Sequence, residues 1–256
     1  MGAISERGFT IIETMLFLAI SGGLIVAILA GTGTSISIQR YHDSVVSLQA
    51  ALQNQYFDST NVTNIPPTGA QTCNTNATVT VDTGAPSSGR GQSDCVLVGR
   101  YVTIVNDTMT TASVVGYNNN DPSTYANDIA DLHAYKLSLL PGSSATTTLE
   151  WNAQIAWPAS GSGSKSGATT SRTIAMLILR SPKSGITYTF TNDSAPTTLT
   201  DIVIAGNQIP GQAQRRLCIN SGAPFAGGLA VVVDAYAATS TAIEIRSNDM
   251  GDASTC

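Results

Sequence analysis

The chain of 256 residues carries little charge of either sign: Asp, Glu, Lys and Arg together make up 11 %, and lysine occurs only as Lys136, Lys165 and Lys183. With a net charge of −5, it has no basic footprint of the kind a general nucleic-acid binder needs, so no nucleic-acid partner is expected. Histidine is limited to His42 and His133, and no C-x-x-C pair exists, which removes the usual ligand sets for zinc. Two distant histidines also give abundant serines no base to form a triad with. There is no G-x-S-x-G nucleophile elbow. The SGSGSK run ends in Ser164-Lys165, so the phosphate-cradling G-K-[ST] spacing is missing too. No enzyme activity, cofactor or metal is therefore expected. Asn118-Asn119-Asn120-Asp121 and the pair Asp128 and Asp131 offer hard oxygen atoms, but at no calcium-loop spacing, and read as a turn-rich surface.

Ser, Thr, Asn and Gly fill the surface role that charges leave open. That composition suits a β-rich extracytoplasmic domain with neutral polar faces rather than a disordered chain. Four cysteines, Cys73, Cys95, Cys218 and Cys256, are widely spaced and even in number, which favours disulfides. Three pairings are open. Sequence proximity favours Cys73–Cys95 with Cys218–Cys256, each loop restricting the unfolded chain by about 3–4 kcal/mol in the entropic treatment.

The most informative segment is the first. A polar leader, MGAISERG (residues 1–8), precedes an apolar run over residues 9–31, long enough at 1.5 Å per residue to cross a bilayer core of about 30 Å. Its one ionisable side chain is Glu13, and the next charge is Arg40. A secretory signal peptide would have a shorter apolar run and a small-residue cleavage site after it. A plain anchor would fit the length but gives no reason for a carboxylate so early in the run, where a charge costs several kcal/mol. Beyond Gly33, Ile38, Tyr41, Val45, Leu48 and Leu52 recur at spacings of three and four, an apolar stripe on one helical face. One helix over residues 9–57 would be about 70 Å long.

Gly8-Phe9-Thr10-Ile11-Ile12-Glu13, read with the leader and the apolar helix, resembles the processing motif of the type IV pilin and pseudopilin family. The resemblance implies cleavage after Gly8 by a prepilin peptidase, N-methylation of Phe9, and pairing of Glu13 with the amino terminus of a neighbouring subunit. A carboxylate in apolar surroundings is tolerable when another chain supplies the opposite charge. A proline that many family members carry would fall on Ala30. Here Gly22-Gly23 and Gly31-Thr32-Gly33 are the candidate places for a loosened helix.

The implied fold is α+β and pilin-like: the N-terminal helix (9–57), half in the membrane and half amphipathic, packed on a C-terminal antiparallel β-sheet domain (58–256). Residues 61–91 read as loop with one strand at 78–82. Further strands are expected at 95–105, 148–157, 173–179, 186–190, 229–236 and 242–246, a short helix within 121–140, and a hairpin tip at 160–166. Arg216-Leu217-Cys218-Ile219 followed by Gly222 resembles a strand of H-type pseudopilins and related minor pilins.

The function implied is a structural subunit, a minor pilin or pseudopilin of a type IV pilus or type II secretion-like filament. Its partners would be other pilin subunits, the prepilin peptidase/methyltransferase, the inner-membrane assembly platform, and membrane lipid before assembly. It would sit as a single-pass protein of the cytoplasmic membrane and then in a cell-surface or periplasmic filament. The alternative is a membrane-anchored surface adhesin that does not assemble.

Overall fold

The computed structural model describes residues 10–61, 70–82, 95–156, 173–192, 198–204, 215–220, 228–234 and 237–247. Helix α1 (Ile11–Thr60) is a single run of 50 residues, about 75 Å long. It contains no proline and passes unbroken through Gly22-Gly23 and Gly31-Thr32-Gly33, so the glycines expected to loosen it do not interrupt it. Intrahelical bonding continues because nothing else competes for those backbone groups; a Cβ at any of these glycines would meet no neighbouring atom within 4 Å.

The two halves of α1 have opposite surroundings. Residues from Ile11 to Ile36 are exposed almost throughout, and no residue of a membrane-length apolar stretch is buried. From Tyr41 onward one face is buried: Tyr41, Val45, Leu48, Leu52 and Tyr56 enter the core, and Ile38 is only partly covered. Among the described residues, twelve strands make up most of the remainder. They are β1 (Ala70–Cys73), β2 (Val79–Asp82), β3 (Val96–Val105), β4 (Thr108–Tyr117), β5 (Lys136–Leu139), β6 (Ala145–Thr148), β7 (Gln154–Ala156), β8 (Thr173–Arg180), β9 (Thr187–Asn192), β10 (Arg215–Asn220), β11 (Leu229–Val233) and β12 (Ile243–Ser247). Two short helices, α2 (Asp128–Ala134) and α3 (Leu199–Ile204), and three short 3-10 turns complete the described elements.

All the described pairings are antiparallel. The larger sheet runs β5-β4-β3-β8-β9, with β6 lying end to end with β5 along the outer edge of β4. The smaller runs β12-β11-β10-β7, and β1 pairs with β2 alone. The larger sheet is covered on both faces, which explains the nearly continuous apolar run of β8. Ile174, Met176 and Ile178 face a core shared with α1 and the smaller sheet, while Ala175, Leu177 and Leu179 face a second core capped by α2 and α3.

A bulge in β3 between Leu97 and Gly99 turns Val98 into the second core. It also brings Gly99 against β8 so closely that a Cβ there would lie 1.9 Å from the Ile178 carbonyl oxygen. The structure departs from the sequence-based expectations at several strands. β1, β4, β5 and α3 were not among the expected elements, and residues 148–157 divide between the end of β6, a 3-10 turn at Glu150–Asn152, and β7. The expected hairpin tip at 160–166 lies outside the described residues.

Candidate functional site

The candidate site is the N-terminal helix with the ties that hold its second half to the domain. Gly8 and Phe9, the expected processing junction, lie outside the described residues. Glu13 sits in the first turn of α1. Thr10 caps that turn: its Oγ1 accepts from the Glu13 N–H at 3.3 Å, and its carbonyl accepts from the amides of Glu13 and Thr14. Thr10-x-x-Glu13 is therefore a capping-box sequence, and a carboxylate in the first turn also meets the positive end of the helix dipole. The cap bond itself is made by Thr10, and the dipole gives the Glu13 carboxylate a local role that the processing motif does not suggest.

Five of the hydroxyls along the exposed half bond back to the helix itself. Thr14 donates to Ile11 O (2.9 Å), Ser21 to Phe17 O (2.6 Å), Thr32 to Leu29 O (3.1 Å), Thr34 to Ala30 O (3.0 Å) and Ser37 to Gly33 O (3.0 Å). These donors thus have partners without water, as an apolar environment requires. Ala19, Gly23, Ala27 and Gly31 recur at every fourth position, a ridge of small residues along which another helix can approach closely.

The second half is tied to the sheets by polar as well as apolar contacts. The Tyr41 hydroxyl accepts from the Leu229 amide at 2.6 Å, and burial pushes its phenol pKa up, with that hydrogen bonding opposing. Gln49 and Gln53 both donate to the Ile243 carbonyl, at 3.0 and 3.1 Å. Tyr56, whose phenol is pushed well up by burial, shares a 2.9 Å bond with Thr189, which donates to Ala237 O. Arg100 donates to Gln55 Oε1 (3.1 Å) and Ser113 Oγ (2.7 Å) and lies 3.8 Å from Asp58, clamping the end of α1 to β3 and β4. Such ties make the second half of α1 an integral part of the domain, so a displacement of the first half is passed to the domain through one continuous helix.

Cys73 and Cys95 are disulfide-bonded, with Cα atoms 5.8 Å apart. Cys218, buried in β10, is disulfide-bonded as well, and Cys256, the partner expected for it, lies outside the described residues. The Asn-rich stretch forms turns: Asn118 Oδ1 accepts from the Asn120 amide and Asp121 Oδ1 from the Ser123 amide. Behind it, Asp131 is fully buried, and burial raises its pKa, with Lys183 opposing and Asp128 adding. Among the described residues, Asp131 Oδ2 and His133 Nε2 are buried side-chain atoms without a hydrogen-bond partner. Sequence reasoning missed Arg100 and Trp151. Arg100 lies in an apolar strand; Trp151 falls in a stretch read as strand.

Comparison of the chain with protein-family models, with curated proteins and with solved structures finds no match in any of the three.

Proposed function

We propose that this chain is a structural filament subunit of the type IV pilin or pseudopilin kind, a minor pilin or a secretion pseudopilin. In this reading it is cleaved between Gly8 and Phe9 by a prepilin peptidase/methyltransferase and delivered by an inner-membrane assembly platform. The observation that carries the proposal is the division of one unbroken helix: an apolar, uncovered half bearing a single carboxylate at Glu13, and a half fixed in a β-sheet domain. The uncovered half needs an apolar partner at each stage, bilayer lipid first and the helices of other subunits later.

Moving such a helix from lipid into a bundle gains little from the hydrophobic effect, since lipid tails are as apolar as leucine. Close packing along Ala19, Gly23, Ala27 and Gly31 and charge pairing at Glu13 supply the selectivity instead. A carboxylate costs about 2.5–3.5 kcal/mol at the bilayer centre and less toward an interface, where Glu13 opens the helix, and a neighbouring subunit's amino terminus offsets that cost in the filament. The domain, displayed on the outside, carries whatever contacts the filament makes.

The test separates the charge of Glu13 from its place in the cap. Glu13→Gln keeps a side chain able to complete the capping box and removes the charge; Glu13→Ala removes both. Both variants are expected to insert in the membrane like the wild type and to be depleted in sheared filaments by about tenfold or more, an effect of about 1.4 kcal/mol per subunit. Assembly of Glu13→Gln at the wild-type level would show that inter-subunit charge pairing is wrong. A wild-type chain that stays anchored and never enters a filament would favour the adhesin reading.

A further inference from the structure

At Arg40 the helix passes from its uncovered half into the domain. Tyr41, the next residue, is the first buried one, and Arg40 is the first charge after Glu13. From Glu13 to Arg40 the helix rises about 40 Å at 1.5 Å per residue. A bilayer measured across both headgroup regions is about 40–45 Å thick. With Glu13 at one interface, Arg40 falls at the level of the opposite headgroups.

A second element reaches the same level. The Arg40 guanidinium lies over the ring of Trp151, 4.7 Å from its centroid. Trp151 stands in the 3-10 turn at Glu150–Asn152 with φ 58° and ψ 32°, a left-handed conformation that a bulky residue rarely adopts. Core packing does not account for that strain, since the residue remains 50 % exposed. A turn that keeps a large apolar ring turned outward, beside the helix and against a cation, has the composition of a membrane-interface anchor: indole for the apolar edge, guanidinium for the phosphate.

We propose that Arg40 and Trp151 together form an interfacial anchor for the phospholipid surface from which the domain emerges. This rests on the membrane-spanning reading of α1. The indole sits at the boundary between headgroups and acyl chains, and Arg40 donates to a lipid phosphate. Exposed carboxylates flank the pair, Asp43 one turn along the helix and Glu150 beside Trp151. The single cation therefore does not select anionic lipid; zwitterionic phospholipid, with a phosphate for Arg40 and a cationic ammonium group for the carboxylates, is the matching surface. Because Trp151 is off the helix axis, the contact fixes both the depth and the rotation of the domain, which a smooth apolar helix leaves free.

The test uses the full chain with Trp157→Phe, leaving Trp151 as the one indole, in phosphatidylcholine vesicles carrying a nitroxide either on the headgroup or deep in the acyl chain. Wild type compared with Trp151→Phe gives the same information if Trp157→Phe fails to fold. Headgroup-level nitroxide is expected to quench Trp151 at least about threefold more than the deep nitroxide. Replacing part of the lipid with phosphatidylglycerol should change this by less than about twofold. Emission insensitive to both nitroxides, or quenched most by the deep one, in a chain that resists carbonate extraction overturns the anchor and leaves the membrane reading standing. A chain that carbonate extracts overturns both.

Discussion

Two substitutions six residues apart on α1 should behave as if they were in different proteins. Leu52 is fully buried, in the core that α1 shares with Ile104 of β3, Met176 of β8, Leu217 of β10 and Val231 of β11. Leu52→Ala removes the side chain beyond Cβ from a site closed by two sheets. The lost transfer energy is about 2–3 kcal/mol, and the cavity left between rigid sheets raises the total to about 3–4 kcal/mol. Alanine's better helix propensity returns only a few tenths. Val46, on the opposite face, is 53 % exposed, and Val46→Ala should change stability by less than about 0.5 kcal/mol. The folding equilibrium of the first variant thus falls by about 300-fold relative to the second. Guanidinium denaturation of the full chain in mild detergent, followed by tryptophan emission, measures both. Equal effects, or a loss below about 1 kcal/mol for Leu52→Ala, would refute the docking of this helix face between the sheets.

Asp131→Asn tests the buried carboxylate. The folded-state pKa of Asp131 is raised by burial, so its contribution to stability is full below the usual carboxylate value of about 3.9 and is lost as pH rises through the raised folded value. The variant should be more stable than the wild type at pH 7, by on the order of 1 kcal/mol, with the gain fading below about pH 4; a gain that grows on acidification would contradict this. Gly99→Ala forces a Cβ to within 1.9 Å of the Ile178 oxygen unless the strands part. It should cost about 2–3 kcal/mol or abolish folding in the same denaturation assay, and a loss under about 0.5 kcal/mol would show that β3 yields freely.

Elements with a clean apolar signal were legible from sequence. The stripe Tyr41, Val45, Leu48 and Leu52 is the face that packs, and the expected strands at 95–105, 173–179 and 242–246 correspond closely to β3, β8 and β12. Strand β4 was not legible because its inner face mixes Met109 with Thr111 and Ser113, whose hydroxyls receive Arg100 rather than apolar neighbours. The short helix expected within 121–140 is α2, and β5, which directly follows it, was not separated from it within that range. The Arg40–Trp151 contact joins distant parts of the chain, and the left-handed turn that makes it contains no glycine to announce it. The small-residue ridge was present in the sequence but is meaningful only once the helix is known to run unbroken beneath it. The capping role of Thr10 was likewise hidden behind a stronger reading of the same residues, in which Glu13 serves a neighbouring subunit.

Residues 8 and 9 are where a processed filament subunit differs most sharply from a plain membrane anchor. The direct measurement is the intact mass and N-terminal sequence of the protein isolated from its native host. The account requires a mature chain that begins at N-methylated Phe9, with the leader through Gly8 removed. A chain that begins at Met1, or one cut after Gly31 or beyond, would contradict it.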